Sequence, residues 1–141
     1  MKKLLNCSCS AKWGDAAPLV LRVVTGLIFT LHGWQKLQGG VEGVTGMLVQ
    51  IGFPMATVFA LILIAVELIG GIALILGAFT HWSAKLLVVV AFVALVTVHL
   101  QNGFFAQNGG YEYILLILAA TISLAITGAG KWSVDRMLWN R

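Results

Sequence analysis

Charge is the scarcest commodity in this chain. Only 10% of its 141 residues are Asp, Glu, Lys or Arg, against roughly a quarter in an ordinary soluble domain. Cysteine is limited to Cys7 and Cys9, and no C-x-x-C occurs, which argues against a disulfide-generating quinone oxidoreductase of the four-helix kind. That C-x-C pair supplies two ligands, too few for a zinc site, and is read as reduced thiols of an exposed cytoplasmic tail. No phosphate loop, zincin motif or G-x-S-x-G is present, so nucleotide-driven chemistry would have to come from a partner. Met1–Leu5 has a positive start but no apolar stretch before Cys7, so it does not read as a signal peptide.

What fills the chain is apolar. Sixty per cent of it is hydrophobic, with a mean hydropathy of +0.96. Four segments qualify as helical spans of a bilayer about 30 Å thick: 18–37, 55–79, 84–100 and 113–127. Short connections force neighbouring helices to run antiparallel. The expected fold is all-α: a polytopic up-down bundle of four transmembrane helices, residues 18–130, between cytoplasmic tails at 1–17 and 131–141. Pro18 suits a first helical turn. Gly39-Gly40 breaks the first span, a short interfacial helix is expected over Val44–Ile51, and Phe53-Pro54 turns the chain back into the membrane.

The basic pI of about 9.4 does not imply a nucleic-acid partner, because the charges are sorted by loop rather than clustered. Lys2, Lys3, Lys12, Lys85, Lys131, Arg136 and Arg141 fall in the tails or after the second span, and Lys36 alone at the other side. The positive-inside rule then places both termini and the Thr80–Lys85 turn in the cytoplasm. The loops 38–54 and 101–111 face outward, and the bilayer is the first partner.

Within so apolar a chain the ionisable residues in or beside the spans are the site candidates: Arg22, His32, Lys36, Glu67, His99 and Glu112. Glu67 has twelve uncharged residues on either side within its run, close to the midplane. A charge there costs at least a few kcal/mol unless paired, hydrated or protonated. Two accounts of it compete. Glu67 either fixes the register of the bundle as a protonated or salt-bridged carboxyl, or relays a proton or binds a substrate or quinone head group. By depth its nearest neighbours are His32 and His99, with Lys36 within reach if it folds inward. Arg22, about 6 Å inside the cytoplasmic boundary by helical rise, either pairs inward or snorkels outward. His32 and His99 on different helices could ligate a haem, but interfacial hydrogen bonding accounts for them as well, and no metal site is expected.

Four stretches, taken in order, resemble the DoxX family of small bacterial membrane proteins, over about Leu19 to Asp135. They are LRVVTGLIFTLHGWQKL with Arg22, Gly26, Gly33 and Lys36; ELIGGIALILGAFTHW with Glu67, Gly71 and Gly77; the segment following Asn108 with Glu112; and its closing G-x-G-x-x-S-x-D of Gly128, Gly130, Ser133 and Asp135. The resemblance implies a four-helix multi-pass protein of the bacterial inner membrane. Some members are subunits of a thiosulfate:quinone oxidoreductase, and others are linked to membrane complexes with thiol and superoxide defence enzymes. The expectation is a membrane subunit supporting quinone-linked redox or oxidative-stress chemistry around Glu67, with redox-enzyme partners and self-association both compatible. A non-catalytic assembly factor or scaffold is the alternative, ahead of a small-solute or proton pathway.

Overall fold

A computed structural model describes residues 16–139. All regular structure among them is helical. α1 spans Ala16–Gln38, α2 Val41–Gln50 and α3 Ala56–Leu76. α4 runs over Thr80–Ala94 and continues through a π-helical turn, Leu95–His99, and a 3₁₀ turn, Leu100–Asn102. α5 covers Glu112–Thr127 and α6 Val134–Trp139. α1, α3 and the extended α4 are each long and apolar enough to cross a membrane, and α5 is a shorter apolar helix.

The four long helices close a ring in which α1 packs on α3, α3 on α4, α4 on α5 and α5 on α1. Phe29, Leu74, Leu87, Ile117 and Leu124 form its interior. The outside is as apolar as the inside: Val24, Ile69, Val89 and Leu116 are all more than half exposed. A soluble protein does not leave such side chains uncovered along every helix; lipid is the solvent that suits them.

Because lipid is as apolar as leucine, helices in it associate through close packing rather than through hydrophobic burial. The tightest seam is that between α1 and α3. A Cβ on Gly26 would lie 2.6 Å from the Gly71 carbonyl oxygen, and one on Gly33 2.7 Å from the Leu68 nitrogen. These glycines fix a register in which Arg22 lies beside Leu74 and Ile75, and Gly33 beside Glu67. α1 therefore ends beside the middle of α3. α2 covers the rest, its Val44 and Leu48 buried against Ala56, Ala60 and Ile64.

Several expected boundaries shift. α3 stops at Leu76, short of the expected span's end at Phe79, because Gly77 takes the left-handed conformation at φ 67. Ala78 then donates to the Ala73 carbonyl and Gly77 to that of Leu74, the paired bonds of a Schellman cap. Residues 80–85, read as a turn, are the first turns of α4, and the connection shrinks to Gly77–Phe79. The short helix begins three residues before Val44 and turns its apolar face to α3. The N-terminal tail with Cys7 and Cys9 lies outside the described residues.

Candidate functional site

Arg22 explains the end of the bundle where α3 stops. It is 2% exposed, and a guanidinium so buried needs acceptors for its five donors. It finds them in backbone carbonyls. Nε donates to Ala129 at 3.2 Å and Nη1 to Leu74 at 3.1 Å. Nη1 also bonds the Ile75 carbonyl and Nη2 that of Trp132. Two of these carbonyls belong to the last turn of α3, which no further helix can satisfy. The other two belong to the segment after α5, so one side chain ties three parts of the chain together. Gly77 makes room for it: a Cβ there would sit 2.9 Å from Arg22 Cζ and 2.6 Å from Ser133 Cβ. Of the two expected alternatives for Arg22, snorkelling outward and pairing inward, the structure shows neither: the guanidinium stays buried at the end of the bundle, on carbonyls rather than on a carboxylate.

Asp135 completes this end. Its two carboxylate oxygens accept from the backbone N–H of Phe79 at 2.6 Å and of Thr80 at 2.8 Å, capping the start of α4. Its own N–H donates to the Gly77 carbonyl at 2.9 Å. Phe79 is left-handed at φ 49, a conformation costing a non-glycine residue roughly 1–2 kcal/mol, and the carboxylate holds it there. Ser133 Oγ donates to the Gly130 carbonyl at 2.8 Å and accepts from the Arg136 N–H at 3.3 Å. Ser133 thus makes a local turn, while Asp135 caps a helix more than fifty positions earlier. Residues 131–139 are thus fastened beneath the bundle.

At the opposite end Glu112 and His99 organise a loop. Glu112 Oε1 accepts from the Ala106 N–H at 2.8 Å, and His99 Nδ1 lies 2.8 Å from the Gly109 carbonyl oxygen. Since a carbonyl only accepts, Nδ1 carries the proton. Tyr111 and Glu112 donate backbone N–H groups to Gly103 and Phe104, closing the loop on itself. His32 is exposed on α1. Neither histidine bonds Glu67, and among the described residues no group of three or more His, Cys, Asp or Glu could hold a metal ion.

That leaves Lys36 and Glu67. Lys36 Nζ lies 2.5 Å from Glu67 Oε2, the salt bridge found among the described residues. The Glu67 side chain is 7% exposed and that of Lys36 25%. Ranking the histidines ahead of Lys36 by depth is corrected here, for a reason of register. Glu67 is eleven residues into α3, about 16 Å along it. Because α1 ends beside the middle of α3, a lysine in its last turn is already at mid-span. Gly33, one turn before Lys36, lets the helices approach: a Cβ there would stand 3.1 Å from Glu67 Cβ. A groove of about 600 Å³ lies elsewhere, at the Arg22 end.

The DoxX profile matches residues 17–100, more than half of the chain. The chain belongs to the DoxX family. It is 37% identical over 121 residues to "Putative oxidoreductase CatD" of Bacillus subtilis, covering 86% of each protein. It is 31% identical over 135 residues to the inner membrane protein YphA of Escherichia coli, covering 88% of this chain and 94% of YphA. To the inner membrane protein YqjF of the same organism it is 32% identical over 132 residues, 90% of this chain and 95% of YqjF. No solved structure matches it. As a DoxX member it is a helical membrane protein, and the lipid bilayer is its surroundings.

Proposed function

We propose that this DoxX protein is a membrane subunit of quinone-linked redox or oxidative-stress chemistry, with Lys36 and Glu67 as its working pair. The observation that carries this reading is a mid-span ion pair with one partner a quarter exposed. Three other charged residues hold structure instead: Arg22 binds carbonyls, Asp135 caps α4 and Glu112 holds a loop. An oxidoreductase name on a 37% identical relative points the same way.

The donor set fits a quinone head group. Its carbonyl oxygens need hydrogen-bond donors, and the Lys36 ammonium has three, one of them taken by Glu67. A bound quinone accepts two electrons and two protons, with a partner redox protein as the electron donor. Lys36 orients the head group by hydrogen bonding, and Glu67, balanced by Lys36 at rest, holds or passes a proton at its carboxylate. The chain lies in a bacterial inner membrane with both termini and the α3–α4 turn cytoplasmic, in keeping with the sorting of its lysines and arginines. One observation favours a scaffold instead: the pair satisfies itself, as the Arg22 and Asp135 networks do.

The test is co-purification. Wild type, Glu67→Gln and Lys36→Met are isolated from native membranes in mild detergent, matched for folded protein, and extracted for quinone. Wild type should carry quinone, and each variant several-fold less. Wild type without quinone, or variants that retain it equally, would leave the scaffold reading standing.

A further inference from the structure

The groove at the Arg22 end lies away from the Lys36–Glu67 site and has no part in the reading above. It runs between the start of α4 and the segment after α5, with Thr80, His81, Trp82, Gly128, Ser133 and Arg136 in its walls. Thr80 is 0% exposed, and its hydroxyl has no hydrogen-bond partner. Buried hydroxyls are almost always paired, because an unpaired one is a net cost to the fold. A partner arriving through the groove would remove that cost.

The charge and the rim indicate what that partner is. Arg136 and His81 bring basic groups to the lining, and the Lys85 ammonium lies 4.8 Å from the centre of the Trp82 ring, itself part of that lining. The lining's one acid, Asp135, is already committed to the N–H groups of Phe79 and Thr80. In the groove's wall Phe79 and Trp82 are each about two-thirds exposed. Basic groups set among exposed aromatic and apolar side chains at the end of a transmembrane bundle are the composition of the headgroup layer. A soluble anion needs no such rim; a lipid whose chains run down the bundle does.

We propose that this groove binds the headgroup phosphate of an anionic phospholipid, Arg136 supplying the charge and the Thr80 hydroxyl a neutral donor. The full chain in mild detergent is titrated with phosphatidylglycerol, with phosphatidylcholine of the same acyl chains, and with soluble glycerol phosphate. Retention is read by native mass spectrometry and stability by thermal unfolding. Phosphatidylglycerol alone should be retained and should raise the unfolding midpoint. Arg136→Gln should weaken its binding about fivefold, the loss of one cation at an anionic surface. Thr80→Val should weaken it too while leaving the lipid-free protein at least as stable, because the hydroxyl it removes has no partner within the protein. Equal binding of the two lipids would overturn the proposal, as would saturation by glycerol phosphate. So would undiminished phosphatidylglycerol binding by both variants.

Discussion

Lys36 reaches Glu67 at 2.5 Å from one helical turn beyond Gly33, whose missing side chain brings α1 against α3 at the level of the carboxylate. The pair depends on both. A bulkier residue at position 33 would push the helices apart, and without Lys36 the carboxylate would face the core uncompensated. Removing one partner of a buried pair costs about 3–5 kcal/mol, whereas replacing both with apolar groups is often neutral. Lys36 is partly exposed, which places this pair at the lower end. Glu67→Gln and Lys36→Met should each lose about 3 kcal/mol of stability in detergent, and the double variant should recover most of it. Measured unfolding that shows equal, additive losses would mean that the two residues are not coupled.

The Arg22 network makes a sharper demand on geometry. Lysine would keep the charge but not the fork that meets four carbonyls on two segments, the end of α3 and the stretch after α5. Each buried carbonyl left without a donor costs roughly 1–3 kcal/mol. Arg22→Lys should therefore destabilise the protein by at least about 2 kcal/mol, and Arg22→Ala should fail to accumulate in membranes. Abundance on a membrane blot beside a detergent melting curve checks both, and an Arg22→Lys protein as stable as wild type would show that charge alone suffices.

Two adjacent glycines offer an internal control on the α1–α3 seam. A Cβ on Gly71 would lie 2.5 Å from Thr30 Oγ1 and 2.6 Å from the Thr30 nitrogen, with no space to relax into. A Cβ on Gly70 would meet only the Leu87 side chain, at 3.4 Å and beyond. Gly71→Ala should lose about 1–3 kcal/mol through overpacking. Gly70→Ala should be near neutral, since alanine gains up to about 1 kcal/mol of helix propensity over glycine. Thermal unfolding of the two variants side by side decides it, and the same loss from both would remove the seam as the cause.

How much of this was legible beforehand depends on the range of each interaction. The four spans, the short second helix and the importance of Glu67 follow from local pattern, because twenty apolar residues or a lone carboxylate announce themselves. The partner of Glu67 did not, because depth along a helix was counted from each span's own ends. The offset between α1 and α3 is set by glycine contacts at Gly26, Gly33 and Gly71, which no count along one helix contains. Arg22 was visible as a charge within a span, but its burial and its partners were not, because those partners are backbone carbonyls, which every residue has. Asp135 lay in a recognised motif, yet the helix it caps starts at Thr80, and nothing near Asp135 in the sequence points there.

Orientation across the membrane is the remaining quantity open to direct test. Seven of the nine Lys and Arg residues lie in segments assigned to the cytoplasm, and Lys36, the one basic residue assigned to the outer side, is held by Glu67. The choice of reporter sites follows from the loops. Gly109 is a poor position for a cysteine, since its φ is 75 and its carbonyl accepts from Asn102 and meets His99. Gln107 is exposed in the same loop and has no such constraint. Lys131 is exposed at the other end. With Cys7 and Cys9 replaced, Gln107→Cys should react with a membrane-impermeant maleimide on intact cells, and Lys131→Cys only after the membrane is opened. The reverse pattern would invert the topology and place the Arg22 end, with its groove, on the outer face.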